Sequence, residues 1–364
     1  MRDLLDKGLN QAETAVENVM VVDLSKFTED KRLGDGLRWI IQLKGFNRQD
    51  RLEKRNDEVA SGATGSISHR EISQGAIIVT DDLPMDDDIL GDNDVQIRID
   101  TPDTRGLVKD DNGDVFFGAV DKVYKLDKND LRIKEVPLKS SWLAFIHSIS
   151  ISPDQTRLLV TSAGFDRIIE FDIASGQPTY TWNAWENGFD KSYATKAPIN
   201  MTINSADYSS GLGLPPGLRT AFPNSSIYAG EYILATFFHH GFVKIDKTTN
   251  TAVSLDENLK HPHSVTTLSN SQIMVTDTGN GRAVVYNEEF GRSAVLDFTN
   301  LPQIESARGM EWLQQVKEVT GYPGLYTAID SNRESIYLFD LQKKLIRKAK
   351  IQSNWVLQEM EVLF

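Results

Sequence analysis

The chain of 364 residues contains no cysteine. That excludes disulfides, cysteine-ligated zinc and thiol nucleophiles, and it is silent on compartment. Long apolar runs are also missing. None approaches the roughly 20 residues that a membrane-spanning helix requires, so no membrane partner is expected. The opening stretch MRDLLDKGLNQAETAVENVM has no apolar signal core and no small-residue cleavage pattern, which makes a cytoplasmic location the expectation. An excess of basic residues is missing too. The formal charge is −13 and the lysines and arginines are scattered, whereas phosphate contacts need them grouped, so no nucleic-acid partner is expected. There is no G-x-S-x-G elbow and no P-loop. GLGLPPG (Gly211–Gly217) has the glycines of a dinucleotide loop, but it follows no strand, precedes no helix and carries two prolines. It reads as part of a loop insertion, Ser209–Gly230, whose length and Gly/Pro content suggest a lid. The seven aspartates of Asp81–Asp94 do not have calcium-loop spacing and read as a solvated acidic loop.

What the chain does contain is one unit, repeated. HPHSVTTLSNSQIMVTDTGNGRAVVYN (His261–Asn287) divides into three short apolar stretches separated by Ser-Asn and Gly-Asn-Gly turns. Ile146–Asp172, Thr104–Asp127 and Ala307–Asp340 follow the same plan. A looser copy begins at Ile203–Tyr208 and, past an insertion, resumes at Tyr232–Asp246. The third stretch closes alike each time, as YKLD, IEFD, VKID, VVYN and YLFD, and an Asp or Asn there suits a turn. Starts fall 42 to 59 residues apart, about the period of a four-stranded propeller blade. A sixth blade assembles from both ends of the chain, with Ser353–Met360 as inner strand and Arg38–Leu43, Gly75–Thr80 and Val95–Ile99 as outer strands. The fold expected is an all-β, six-bladed propeller over residues 38–364, closed by both termini. Residues 1–37 form an N-terminal extension with a helix suggested by the spacing of Leu4, Leu5, Leu9, Ala12, Val16 and Val19. Arg48–Glu71 is polar and reads as a long exposed loop.

Aligning the five units produces a column of Arg105, His147, Asn204, His263 and Arg308, each followed by glycine or serine. In a propeller the inner strand starts at one mouth of the central channel, so these side chains would encircle that mouth. The turn between second and third strands opens on the same face and carries Phe237, Phe238, His239 and His240 in one unit and Asp277 in another. Four of the six histidines would then converge. Imidazole acts as nucleophile or general base near neutral pH, and Arg holds oxyanions through paired bonds. His147, His263, Asn204, Arg105 and Arg308 are therefore the candidate catalytic set for a small anionic or phenolic substrate. His239, His240, Phe238 and Asp277 are candidate substrate contacts, and His261 is read as surface. No cofactor is expected. The alternative is a divalent metal held by His147, His263 and His240 or His239, giving a lyase, isomerase or hydrolase. A non-catalytic propeller binding a ligand or protein on its face is the third reading. Oligomeric state is not legible.

INSADY, FFHHGFVKIDKTTNT, FDIASGQPTYTWNAWENGF and HPHSV with VTDTGNGRAVVYN resemble the arylsulfotransferase-like six-bladed propellers, and DTGNGRAVVYN also resembles NHL repeats. The resemblance implies a sulfuryl group carried on a channel histidine, with His263 as nucleophile and Asn204 as the family's strand asparagine. Thr202 stands where that strand would carry a histidine. The NHL likeness implies a histidine-ringed channel that takes a metal in one lyase.

Overall fold

The computed structural model describes residues 19–60, 68–69, 71–84, 88–199, 213–304 and 311–363, with only the backbone at 55–60. Six four-stranded antiparallel sheets follow one another around an axis. Blade 1 has the strands Thr104–Lys109, Val115–Ala119, Lys122–Leu126 and Ile133–Val136. Blade 2 has Ile146–Ile151, Arg157–Ser162, Arg167–Asp172 and Pro178–Asn183. Blade 3 has Pro223–Ala229, Tyr232–Phe237, Gly241–Asp246 and Ala252–Asp256. Blade 4 has Val265–Thr267, Ile273–Asp277, Arg282–Tyr286 and Arg292–Asp297. Blade 5 has Leu313–Glu318, Leu325–Asp330, Ser335–Asp340 and Leu345–Ile351. Blade 6 joins Val356–Val362, from the far end of the chain, to Trp39–Gly45, Gln74–Thr80 and Ile97–Pro102.

Side-chain alternation along each strand explains the ring. In Trp39–Gly45 every residue is buried, because successive side chains point to opposite faces and each face meets a neighbouring blade. Trp39, Ile41 and Leu43 pack against Ile329, Ile336 and Leu338 of blade 5. Ile40, between them, packs with Leu107, Val115 and Phe117 of blade 1. Burying such a side chain contributes about 1.5–3 kcal/mol, so blade-to-blade packing is the main cohesion.

The recurring terminal Asp or Asn of the third strand does what its chemistry suggests. Asp127, Asp172, Asp246, Asn287 and Asp340 each accept a backbone N–H two or three residues on, at 2.8–3.0 Å.

Three expectations are corrected. The inner strand of blade 3 is Pro223–Ala229, not the stretch after Ile203, so the insertion lies between blades 2 and 3 and ends at the strand rather than at Gly230. The inner strand of blade 5 starts at Leu313, not at Ala307. Arg48–Ala60 is an α-helix instead of loop. It is docked by buried Arg48, whose guanidinium holds the Ser331 carbonyl and Glu334, and by buried Leu52. The proposed helix over residues 4–19 falls outside the described residues except Val19. From Met20 the chain instead runs along the propeller. Met20–Asp23 adds a parallel strand to the outer edge of blade 4, and Thr28–Glu29 does the same on blade 5. The acidic segment supplies a third such strip, Ile89–Leu90, also on blade 5.

Candidate functional site

Near its start the inner strand of a blade takes an extra residue. The ladder skips His147 in blade 2, Asn224 in blade 3, Gln314 in blade 5 and Gln358 in blade 6. A bulge re-aims side chains, and here it turns them to the axis. In blade 1 the skipped residue is Gly106, beside Arg105, with φ +72°. A Cβ at Gly106 would meet the backbone of Ser148 and Ile149 at 2.9 Å, so only glycine fits. His263 heads the shorter strand of blade 4. The six axial residues are thus Arg105, His147, Asn224, His263, Gln314 and Gln358, all buried.

Three of the five predicted ring positions hold: Arg105, His147 and His263. Asn204 and Arg308 lie outside the described residues. The blade 3 and blade 5 positions belong to Asn224 and Gln314, and Gln358 completes the circle. Lys44, Asp103 and Glu359 were also missed.

The electrostatics follow from contacts. Arg105 meets the buried Asp103 carboxylate through Nε (3.0 Å) and Nη2 (3.1 Å). The ring therefore contains a guanidinium neutralised from within the chain, which does not by itself call for an anionic ligand. Burial and Arg105 act in opposite directions on Asp103, and the net effect lowers its pKa. The Arg105 Nη1 donates to His147 Nε2 at 2.6 Å. An arginine only donates, so that nitrogen holds the lone pair. Burial first, and then Arg105, push the His147 pKa well below its usual value, so this imidazole is neutral and already used as an acceptor. His263 is oriented differently. Its Nδ1 lies 3.0 Å from the His261 carbonyl and 3.0 Å from Thr278 Oγ1. A carbonyl only accepts, which places the proton on Nδ1 and the lone pair on Nε2. The His147 and His263 ring centres are 6.0 Å apart.

Lys44 extends from blade 6 to Gln358 Oε1 (2.8 Å) and Gln314 Oε1 (3.2 Å), and Gln314 Oε1 also accepts Trp312 Nε1 at 3.0 Å. One step further along the strand, Glu359 accepts the Leu107 N–H at 3.0 Å. Burial raises its pKa to about 7, against the opposing pull of Lys317, two backbone N–H groups and Gln315. Deeper still, Lys317 pairs with Glu361. The space enclosed by His147, His263, Gln315, Gln358 and Glu359 admits about one water molecule.

Above the ring stand aromatic walls. Phe238 lies 5.8 Å from His263 and Trp312 lies 5.0 Å from it, while Phe222 meets His147 at 6.0 Å and Phe238 at 5.1 Å. Phe222 belongs to the insertion, whose described part, 213–222, is anchored by Asp166 through the N–H groups of Thr220 and Phe222, both 2.6 Å. Burial raises the Asp166 pKa to about 6. Phe237 is core, packed on Trp182 and Phe189.

The other predicted contacts sit apart from the ring. His239 stacks on Tyr193 at 3.6 Å, and burial holds its pKa near 3. His240 Nε2 meets the Thr220 carbonyl at 3.0 Å, and its ring packs on Phe189. His261 is half-buried and stacks on Phe238 at 4.3 Å, so it belongs to the wall rather than to open surface. Asp277 is fully buried and braces its own turn, accepting from Lys260 N, Asn280 and Arg282. It is not in the cavity wall. The proposed metal set His147, His240 and His263 is not brought together. Among the described residues no three His, Cys, Asp or Glu side chains form a metal-binding group.

Fold and site together define a six-bladed β-propeller with a polar, histidine-bearing mouth. No family model and no curated sequence matches the chain. Among solved structures it is similar to a chain of the nidogen/laminin complex, at 13% identity and TM-score 0.55, over 90% of this chain and 98% of that one. It is also similar to a protein of unknown function from Bacteroides caccae, at 11% identity and TM-score 0.51, over 89% and 98%. Virginiamycin B lyase from Staphylococcus aureus is more distant, at 12% identity and TM-score 0.45, over 68% and 70%. At such identities the likeness is one of fold alone. It bears out the propeller and lends nothing specific to the arylsulfotransferase resemblance.

Proposed function

We propose that the protein acts on a small phenolic or similarly flat polar molecule lodged over the channel mouth, with His263 Nε2 as general base or nucleophile. One observation carries this reading. His263 is an imidazole whose tautomer is set by the His261 carbonyl, and its ring stands between the aromatic walls of Phe238 and Trp312. His147, Arg105 and Asn224 then orient the substrate. The aromatic walls Phe222, Phe238 and Trp312 suit a ring, and the neutralised Arg105 removes the need for an anion. The water-sized space beneath excludes the substrate from the axis itself.

The test uses p-nitrophenyl acetate, phosphate and sulfate with the wild type, His263→Ala and His147→Ala. Removing a general base or nucleophile is expected to cost about 10²–10⁴-fold in turnover. His263→Ala should lose that much on whichever ester is turned over, and His147→Ala should mainly raise KM. Undiminished turnover in His263→Ala would overturn the assignment. A wild type inert toward all three esters that still binds p-nitrophenol would move the reading to a non-catalytic ligand-binding propeller. The mutual satisfaction of Arg105, Asp103 and His147 is the feature that favours that second reading.

A further inference from the structure

The axial ring is not satisfied evenly. Arg105 is held by Asp103, and Gln314 and Gln358 both accept Lys44. Two neighbours in the ring each keep one polar atom unused. The first is Asn224, only 2% exposed. Its Nδ2 donates to the Pro262 carbonyl at 2.6 Å. A carbonyl only accepts, so this contact fixes which end of the amide is nitrogen. The Oδ1 at the other end is buried and has no hydrogen-bond partner among the described residues. A buried acceptor left unmade is costly. The second is His147. Arg105 occupies its Nε2, so the neutral ring carries its proton on Nδ1, and no described residue accepts that proton. Both side chains line the enclosed space at the axis, which admits about one water molecule.

The count of donors and acceptors narrows the ligand. In the reaction proposed above, a phenolic hydroxyl donates to His263 Nε2. The same oxygen can accept from His147 Nδ1. Its single hydrogen is then spent, and Asn224 Oδ1 still lacks a donor. A second hydroxyl beside the first supplies it, and a hydroxyl is the size of the water that the axial space admits. The ring that carries both would stay above, among Phe222, Phe238 and Trp312. A methoxy, carbonyl or carboxylate group in that place would set lone pairs against the Asn224 oxygen. We propose that the mouth is built for an ortho-diphenol, with Asn224 as the residue that selects the second hydroxyl. This rests on the phenolic reading and makes it more specific.

The test is calorimetric titration of the full chain, under argon at neutral pH, with catechol, phenol and guaiacol, in which the second hydroxyl is methylated. Catechol is expected to bind about tenfold tighter than either of the others, the worth of one buried hydrogen bond otherwise left unmade. In Asn224→Leu the ratio of catechol to phenol affinity should fall to near one. The wild-type series decides alone if that variant does not fold. Equal binding of catechol and phenol, as when a resident water already satisfies Asn224, overturns the proposal, and so does guaiacol matching catechol or an undiminished ratio in a folded Asn224→Leu. In each of these cases the role of His263 stands, because it is read separately by ester turnover. Binding of none of the three overturns both the diphenol and the phenolic reading.

Discussion

Arg105 shows how one residue changes the meaning of a site. From the sequence it was a cation in search of an anion. In the fold Asp103, two positions earlier, supplies that anion, and the guanidinium spends another N–H on His147. Arg105→Met should therefore destabilise the protein by about 3–5 kcal/mol, because it strands a buried carboxylate. Adding Asp103→Leu should recover most of the loss, as chemical denaturation would show. Glu359 makes a pH prediction. Its folded pKa of about 7 lies above its ordinary 4.5. Below pH 4.5 folded and unfolded chains both hold the proton. Between 4.5 and 7 only the folded chain does, so stability falls as pH rises through that window, by up to about 3 kcal/mol. Asp166 and Asp330, both near 6, slope the same way. Glu359→Gln should flatten the curve by its own share, visible as a smaller drop in Tm between pH 5 and 7.5.

At the level of the strand, alternation and turn chemistry were legible, and alignment was less so. A capped third strand follows each axial residue at nearly constant distance: Arg105 to Asp127, His147 to Asp172, Asn224 to Asp246, His263 to Asn287 and Gln314 to Asp340 span 22 to 26 positions. Asn204 and Arg308 break that spacing, and it was the signal available for finding Asn224 and Gln314. The rule of a small neighbour misled, because it fails at Gln314-Gln315 and Gln358-Glu359. The helix at Arg48–Ala60 was hidden by its polarity, since tertiary contacts of Arg48 and Leu52 rather than an apolar stripe hold it. A second repeating device was also invisible without coordinates: a buried threonine on the second strand that fastens adjacent blades. Thr161 joins Ser148 and Ser226, Thr236 holds the His263 carbonyl, and Thr276 joins Ser264 to the Val316 N–H. Thr161→Val, similar in shape, should cost about 1–2 kcal/mol by leaving both serine hydroxyls short of a partner. The same change at exposed Thr156 should cost almost nothing.

Across the whole molecule, closure rests on one strand. Val356–Val362 is the inner strand of blade 6, paired with Trp39–Gly45, and Trp355, Leu357, Met360, Val362 and Leu363 are each at most 2% exposed. Deleting residues 355–364 removes that strand and bares both neighbours. The truncated chain should lose its single cooperative melting transition, and calorimetry would register this directly. The joining of the two ends of the chain was foreseeable from the count of units. The strips that Met20–Asp23 and Thr28–Glu29 lay along blades 4 and 5 were not, since stretches of two to four residues carry no periodicity to read.

The crowding of the axis has a practical corollary. With room for about one water among its side chains, the centre of the ring is a blind alley rather than a conduit. Under the proposed function, whatever arrives at His263 leaves by the same door, and product and reactant would compete for a single threshold.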